Sequence, residues 1–529
     1  MNKAVILVGG PSRATRFRPL SMHLPQPLFP VGGKPIIWHQ IKALSEVRDL
    51  KEIILIGFFE DFVFRPFLDK CQEDFPETSF KYLREYSQLG TAGGFFHFRD
   101  QILRGSPKNI FMLYTDICSS FPLNELLAQH ERHGRLGTIM VTRVARSSAH
   151  LYGCVVVDAE TRLAEHYVEK PETYVSDMAS TGVFVFDQDI FRFMARAMDN
   201  RADQLEAERA KESAYGRYDE GDDTNAANRL RLEQDVLRAM AGEKKLSAFL
   251  CKGFWRQIKS AASAVPANAL YLQQALEESG SFLAKNTGPG PEITGAVFIH
   301  PSAQVHPTAR LGPNVSIHAR AVVGAGVRIS DSIVLDNVHI KDNAAVLHAI
   351  VGWDSRIGKW GRVEGSAVAS ADDIDDVTQS GVKVNSICIL GEDVQVKDEV
   401  FIRNSIVLPH KDLAANKHNE IIIYHKLISH WAAGPWNVFR NCSRRYTSTL
   451  PLRCRSPSTL AAFVPCRSAS SSRAVHMHGP PLLGSVGASV HPATMYLRAP
   501  AQSPVKKYRM RSASRAVTSV SWISAFTRH

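Results

Sequence analysis

A six-residue period limits what the second half of the chain can fold into more than any other feature. Aliphatic residues recur at every sixth position, with two changes of phase: Ile299, Val305, Leu311, Ile317, Val323 and Ile329, then Val351, Ile357 and Val363, then Val394, Val400 and Ile406. This period matches neither an α-helix nor a simple strand. It is typical of hexapeptide repeats, which stack one aliphatic residue per face along a parallel β-helix.

The repeats define a predicted domain over residues 286–423, which begins with the Gly/Pro-rich linker 286–292. The acidic, polar stretch 366–386 interrupts them, so we expect it to loop out of the solenoid. The apolar faces and open ends of a solenoid are usually capped or paired with another surface. We therefore predict a homo- or hetero-oligomer, with residues 366–386 as a candidate contact.

Residues 1–285 have a different pattern, in which short apolar runs alternate with helical spacing. The predicted strands are 3–8, 52–57, 109–116, 137–144 and 182–186, and the predicted helices include 36–47, 122–134 and 232–240. Such alternation indicates a Rossmann-like α/β domain with a mainly parallel sheet. Ligands then bind at the carboxyl ends of the strands. The charge-dense stretch 200–229 is predicted to be a mobile insertion with a helical start.

The net charge of +11 comes from one end of the chain. Residues 424–529 hold 15 of the 63 Lys and Arg and no Asp or Glu, which leaves 48 basic against 52 acidic side chains in the rest. The main body is therefore nearly neutral, and its charge indicates no nucleic-acid partner. The tail lacks periodic apolar faces and is predicted to be unstructured. One interpretation is a basic arm that binds RNA or a membrane surface. The other, which the composition favours, is non-native sequence that does not belong to the folded protein.

Other features exclude several classes of protein. No apolar run approaches the roughly 20 residues that a membrane helix needs. The eight cysteines are scattered and form no C-x-x-C pair, which argues against a disulfide framework and against a zinc site. These patterns favour a cytoplasmic protein that does not associate with membranes.

The most informative segment for function is the loop after the first strand, GGPSRATRFRPLSMHLPQPLFP. It begins with two glycines, carries several arginines and has no acidic residue. Backbone N–H groups and guanidinium groups in such a loop can surround a polyphosphate.

This loop and six other segments together resemble the sugar-1-phosphate nucleotidyltransferases, and within them the alpha type of the GDP-mannose pyrophosphorylases. The other segments are LGTAGG (89–94), YTD (114–116), YGCVV (152–156), VEKP (168–171), GFWRQIKSA (253–261) and RNSIVLPHK (403–411). The resemblance covers residues 3–423. It implies a nucleotidyltransferase domain followed by a left-handed parallel β-helix. In the family's reaction, a sugar phosphate attacks the α-phosphorus of a nucleoside triphosphate and releases pyrophosphate.

The resemblance also implies roles for individual residues. Gly9, Gly10 and Arg16 correspond to the phosphate-binding loop, and Leu89, Gly90 and Thr91 to positions that hold the base and ribose. The positions that contact the sugar and its phosphate correspond to Tyr152, Gly153, Glu169 and Lys170. Asp116 corresponds to a carboxylate that holds Mg²⁺, a cation that prefers oxygen ligands.

Four positions depart from the pattern of the catalytic family members. Gln26 replaces the catalytic lysine, and Gln257 replaces the second metal-binding aspartate. Ser180 replaces a sugar-site asparagine, and Ala14 stands where the loop usually has glycine. Loss of one such electrostatic group typically costs about 3–4 kcal/mol at the transition state. We therefore expect impaired catalysis, while ligand contacts survive.

The first hypothesis is a weakly catalytic or non-catalytic regulatory subunit that binds GDP-mannose or GTP and associates with a catalytic beta-type subunit. It needs Mg²⁺ only for any residual catalysis. The second hypothesis is an active guanylyltransferase that makes GDP-mannose from GTP and mannose-1-phosphate. A third, acyl transfer at the β-helix, would use one of its histidines: His300, His306, His318, His339 or His348. A fourth, nucleic-acid binding by the tail, predicts that truncation after Ile423 abolishes a salt-sensitive affinity.

Overall fold

The computed structural model describes most of the chain before the basic tail: residues 1–10, 14–214, 229–278, 280–286, 288–367, 378–379, 382–383 and 386–423. The tail prediction for residues 424–529 and the end of the predicted insertion 200–229 lie outside this part. Among the described residues, no helix is long and apolar enough to cross a membrane. Five cysteines lie in the described part, and all are buried free thiols: Cys71, Cys118, Cys154, Cys251 and Cys388.

A mixed β-sheet forms the centre of the N-terminal region. Its strands are Asn2–Gly9, Leu50–Gly57, Ser79–Arg84, Asn109–Tyr114, Gly137–Arg143, Gly153–Val157, Ala164–Glu169, Met178–Asp187 and Leu246–Leu250. Every strand predicted from the sequence is present, with small changes of boundary. Asn2–Gly9 lies between Leu50–Gly57 and Asn109–Tyr114 and is parallel to both. The carboxyl ends of these strands therefore open on the same edge.

The sheet is mainly parallel, as predicted, but two of its nine strands, Ala164–Glu169 and Met178–Asp187, run in the opposite direction. Met178–Asp187 is antiparallel to both Asn109–Tyr114 and Gly137–Arg143. The preceding strands, Gly153–Val157 and Ala164–Glu169, also pair antiparallel. A short turn joins those two strands. Without a helical crossover between them the chain direction reverses.

Helices cover the sheet. The α-helices are Ile36–Ser45, Asp61–Asp74, Gly93–His97, Arg99–Ile102, Leu123–His133, Ile190–Ala214, Arg238–Gly242 and Ala264–Glu278. Short 3₁₀ helices span Ala14–Phe17, Leu20–Met22, Gln26–Leu28, Ala149–Leu151 and Ala261–Ser263. The helix predicted over 232–240 begins instead as a π-helix, Leu232–Leu237. Such wide turns occur frequently at functional sites.

A buried ion pair lies at the start of the first strand. Nζ of Lys3 is 2.6 Å from Oε2 of Glu52, and the side chains are 2% and 8% exposed. Lys81 contacts the other carboxylate oxygen from the surface. Burial favours a higher pKa for Glu52, but the hydrogen bonds and charges of Lys3 and Lys81 outweigh it and lower the pKa.

The second region is built from three parallel sheets in regular repeats, as expected for a left-handed parallel β-helix. The first face contains Glu292–Ile293, Arg310–Leu311, Arg328–Ser330, Ala345–Leu347, Arg362–Glu364, Phe401–Arg403 and Lys417–His418. The second face contains Val297–Ile299, Val315–Ile317, Ile333–Val334, Ala349–Val351, Cys388–Leu390, Ile406–Val407 and Ile421–Ile422. The third face contains Gln304–Val305, Val322–Val323, His339–Ile340, Arg356–Ile357, Gln395–Val396 and Asp412–Leu413.

The six-residue pattern corresponds to these strands over most of the solenoid. Leu311 pairs with Ile329, and Val363 pairs with Ile402, inside the first face. In the last coils the predicted residues Val394 and Val400 are also buried, but they precede the strands. The stacked positions there are Leu390, Val396 and Ile402.

The second face continues across the predicted excursion. Ala349 pairs directly with Cys388, although the preceding coils span 17 or 18 residues each, as between the paired residues Ile317 and Val334. Most of the intervening stretch 366–386 lies outside the described part. Two short strands inside it, Thr378–Gln379 and Val382–Lys383, pair only with each other in the described residues.

The outer surface of the second face packs against the N-terminal region. Ile333, Ile350 and Ile389 are buried in one cluster with Phe17, Phe29, Ile258, Val265 and Tyr271. The oligomer prediction assumed that the apolar faces of the solenoid are exposed in the single chain. For this face the assumption was wrong. On the other two faces, the outer register positions are mostly charged or polar, as at Arg310, Arg328, Arg362, His339 and Arg356.

Candidate functional site

The first strand ends in two glycines that shape a small cavity. Gly9 has a φ of 66°, in the left-handed region that favours glycine. A Cβ on Gly10 would lie 2.8 Å from Cβ of Phe58, so no larger residue fits. The cavity is about 240 Å³ and opens at the carboxyl ends of the parallel strands. It brings together six predicted site residues: Gly9, Gly10, Gln26, Gly90, Thr91 and Asp116.

Gln26 lies at the start of the 3₁₀ helix Gln26–Leu28. Its side-chain amide donates a hydrogen bond to the backbone carbonyl of Ile258. The amide is therefore bound to the backbone between Gln257 and Lys259. Gln26 connects the glycine loop to the segment that carries the other substituted position.

Gln257 contacts the remaining predicted metal ligand. Its Nε2 donates to Oδ2 of Asp116 at 2.7 Å. The contact is fixed from both sides, because Gln257 pairs with Ile117 between short antiparallel strands and the Ile258 N–H donates to the Asp116 carbonyl at 2.7 Å. Burial raises the pKa of the Asp116 carboxyl, and the Gln257 hydrogen bond and the Lys259 charge oppose this rise.

This donor set does not fit a resident Mg²⁺. The ion needs several hard oxygen ligands, usually with one or two carboxylates. Asp116 instead accepts a hydrogen bond from the amide of Gln257, the position at which the resemblance implies a second carboxylate. In the described part of the chain, no group of three or more His, Cys, Asp or Glu residues is placed to hold a metal ion. Asp116 and Gln257 are bound to each other instead.

The LGTAG segment is organised by the start of the π-helix. The Leu232 N–H donates to Oγ1 of Thr91 at 2.8 Å, and that hydroxyl donates to Glu233 at 2.8 Å. The hydroxyl of Tyr114 donates to the other Glu233 oxygen at 2.6 Å. Glu233 thereby fixes two residues of the cavity wall.

We expect Gly90→Ala to destabilise the protein by about 1–3 kcal/mol. Gly90 has a φ of +89°, and a Cβ there would lie 2.4 Å from the carbonyl oxygen of Leu230. Urea unfolding of the full chain measures the effect. Gly242→Ala is the matched control, because no atom lies within 4 Å of its Cβ position. Equal stability of the two variants would contradict the tight approach at Gly90.

Of the predicted sugar-contact residues, Glu169 lines a larger cavity of about 1280 Å³, together with Tyr167 and Glu233. The Tyr167 hydroxyl donates to Glu169 at 2.9 Å. A Cβ on Gly153 would lie 2.2 Å from that hydroxyl oxygen, so glycine is needed for this contact. Burial raises the pKa of Glu169, the Tyr167 hydrogen bond opposes it, and the nearby Glu233 charge adds to it.

Tyr152 lies between an aromatic ring and a cation. Its ring packs edge-on against Trp255, with centroids 5.4 Å apart, and Nζ of Lys259 lies 4.7 Å from the Tyr152 centroid. The Tyr152 carbonyl accepts a hydrogen bond from the Lys170 N–H at 3.2 Å. Lys170 has a φ of 45°, an uncommon conformation for a residue other than glycine.

Other predicted site residues do not line the smaller cavity. Arg16 is exposed in the helix Ala14–Phe17, where right-handed turns suit the alanine at position 14. Leu89 contributes its carbonyl, which accepts the Leu230 N–H at 2.8 Å. Ser180 lies opposite Val141 just before a register shift in its strand.

The histidines of the β-helix have local roles. Nδ1 of His300 lies 2.9 Å from the Ser302 hydroxyl, and Nδ1 of His306 lies 2.9 Å from that of Thr308. His318 is buried beside Phe298, and burial lowers its pKa to about 4. These contacts give no support to acyl transfer.

Sequence reasoning missed two residues of the site, Glu233 and Lys259. Glu233 follows the charged insertion, where no local pattern distinguishes it from a surface glutamate. Lys259 lies within the GFWRQIKSA segment, two residues after Gln257. Its closeness in sequence to Gln257 could have identified it as a residue of the site.

Two family models match the chain, one in each region. Residues 3–229 match the family model described as nucleotidyl transferase, and residues 293–423 match the model described as the GMPPB C-terminal domain. Among solved structures, a UDP-glucose pyrophosphorylase complexed with UDP-glucose is 18% identical, with a TM-score of 0.41, over 52% of this chain and 99% of that one.

Curated relatives match over their whole length. Mannose-1-phosphate guanylyltransferase regulatory subunit alpha-B of Danio rerio is 44% identical over 434 residues. The proteins named as regulatory subunit alpha in Xenopus tropicalis and Papio anubis are 45% and 42% identical. Each alignment covers 80% of this chain and 100% of the relative. The chain therefore belongs to the mannose-1-phosphate guanylyltransferase family, and these relatives are named as its regulatory alpha subunit.

Proposed function

We propose that this chain is a regulatory subunit of mannose-1-phosphate guanylyltransferase that binds GDP-mannose or GTP and has little or no catalytic activity of its own. The hydrogen bond from Gln257 to Asp116 carries this proposal. A neutral donor beside Asp116 cannot supply the negative charge with which a phosphoryl-transfer site holds its metal. The bond from Gln26 to Ile258 adds to it, since a neutral amide cannot neutralise a substrate phosphate.

Features that support ligand binding are retained. Gly9 leaves open space beside its backbone, and Thr91 is held in the cavity wall by Glu233. Binding needs shape and hydrogen bonds, whereas catalysis needs groups that stabilise the transition state specifically. A site can therefore lose turnover and still bind a product-like ligand.

The test is a pyrophosphate-release assay of the full chain with GTP, mannose-1-phosphate and Mg²⁺, together with calorimetric titration of GDP-mannose. We expect release at the level of a protein-free control and saturable binding of GDP-mannose in preference to UDP-glucose and ADP-glucose. Robust pyrophosphate release would overturn the regulatory assignment. Absence of GDP-mannose binding would overturn the sensing role.

The second candidate is an active guanylyltransferase. Its support is that Asp116 is retained and that Glu169 and Glu233 lie in the same region. Glu233 is, however, bound to Thr91 and Tyr114 through its two oxygens. The pyrophosphate assay separates this candidate from the first.

The regulatory assignment requires a partner, which we propose to be a catalytic beta-type homologue in the cytoplasm. The second face of the β-helix is already covered by the chain's own N-terminal region. The charged outer faces and the region of 366–386 are therefore the candidate contacts. Light scattering of the mixed subunits tests this, and a chain that stays monomeric with and without the homologue would refute it.

A further inference from the structure

We propose that this chain binds its sugar nucleotide without a divalent ion, and that the Lys259 ammonium supplies the positive charge between Asp116 and Glu169. This inference rests on the proposed function, because it concerns the same ligand. It differs from that function in what it requires: a fixed side-chain cation takes over the electrostatic role of a metal.

The backbone around Lys259 is fixed in place. The strand Trp255–Gln257 pairs with Ile117–Ser119, and the next residue, Ile258, is bound through both its N–H and its carbonyl, to Asp116 and Gln26. Lys259 follows directly. The contacts that fix the segment with Gln257 therefore also fix the position of Lys259 relative to the cavity.

The side chain of Lys259 is also oriented. Its Nζ lies 4.7 Å from the Tyr152 ring centroid, within the range of a cation–π contact. Tyr152 packs against Trp255, whose indole N–H donates to the Thr181 carbonyl at 3.0 Å. The ammonium is consequently held over a supported aromatic surface.

The charge of Lys259 acts on both sides of the site. The Lys259 backbone follows Ile258, which is bound to the Asp116 carbonyl. Its ammonium lies over Tyr152, whose neighbour Gly153 pairs with Glu169. Its charge accordingly opposes the rise in the pKa of both carboxyls. A diphosphate that enters next to these carboxylates and Glu233 meets like charge. A cation between them reduces that repulsion. In this chain we propose that the cation is the Lys259 side chain and not a bound metal ion.

The experiment is calorimetric titration of the full chain with GDP-mannose, in excess Mg²⁺ and in excess EDTA. We expect dissociation constants within about twofold of each other, since no metal contributes. Lys259→Met is expected to weaken binding at least about tenfold in both buffers, the usual size of a lost charge-assisted hydrogen bond. Lys259→Arg should retain most of the affinity, and Lys285→Met, at an exposed position, should retain all of it.

Three results would overturn the inference: binding strengthened about tenfold or more by Mg²⁺, unchanged binding in Lys259→Met, or equal losses in Lys259→Met and Lys259→Arg. Thermal unfolding of each variant identifies any folding failure, and the Mg²⁺ and EDTA comparison on the unsubstituted chain decides the question even then. Absence of GDP-mannose binding in both buffers would refute the proposed function and this inference with it. Binding only in Mg²⁺ would refute this inference alone.

Discussion

Gln257→Asp is expected to make the stability of the folded protein depend on Mg²⁺. The change replaces the amide that donates to Asp116 at 2.7 Å with a second carboxylate. Two carboxylates at this distance repel, and the free energy of unfolding should fall by about 1–3 kcal/mol without metal. Mg²⁺ bound between them should restore it, so thermal unfolding in EDTA and in excess Mg²⁺ measures the effect.

Gln257→Asn is the matched control, because it shortens the side chain equally without adding charge. It should lose some stability but show no response to Mg²⁺. The same response in both variants, or none in either, would show that position 257 does not decide whether the site holds a metal.

Activity provides a second measure of the same change. With Gln26→Lys added, pyrophosphate release from GTP and mannose-1-phosphate is expected to rise by at least about 10²-fold over the unsubstituted chain, which is the effect of one restored electrostatic group. The gain should depend on Mg²⁺. No gain in the double variant would leave the two glutamines without a causal role in the predicted loss of catalysis.

Glu52→Gln is expected to lower the free energy of unfolding by about 3–5 kcal/mol, because it removes one partner of a buried ion pair. Lys3 is 2% exposed and would keep its charge beside a neutral amide. Lys81 is half exposed and can turn to water. Urea unfolding at neutral pH, where Glu52 is ionised in the native chain, measures the loss.

The double variant Lys3→Met, Glu52→Leu is the control for this ion pair. Replacing both members with apolar side chains leaves no buried charge, so most of the lost stability should return. A cost below about 1 kcal/mol for Glu52→Gln alone would mean that water reaches Lys3 in the folded protein.

Local sequence pattern was sufficient for most of the elements. The strand predicted over 52–57 and the helix over 36–47 are present as Leu50–Gly57 and Ile36–Ser45. The spacing of apolar residues within each segment is enough to identify it as a strand or a helix. The mainly parallel direction was also predicted, but the two antiparallel strands were not. The antiparallel placement of Met178–Asp187 depends on pairing with strands far away in sequence.

The same limit applies to the site. Motifs located the glycine loop, Gly90, Thr91 and Asp116, which the fold brings into one cavity. They also identified Gln26 and Gln257 as substituted. That Gln26 binds the backbone next to Gln257 depends on the packing of segments 232 residues apart. Glu233 was missed because its importance comes entirely from contacts across the fold.

The packing between the N-terminal region and the second face of the β-helix decides whether the two regions can be produced as separate fragments. Ile333, Ile350 and Ile389 are covered by side chains such as Phe17 and Tyr271, and His23, from the same loop as Gln26, stacks on Trp353 of the solenoid with centroids 4.2 Å apart. A fragment cut at the linker would expose this surface on both halves and should aggregate. Substitutions in the solenoid at Ile333, Ile350 or Trp353 should likewise loosen the N-terminal loop that carries Gln26, although they lie in the other region of the chain.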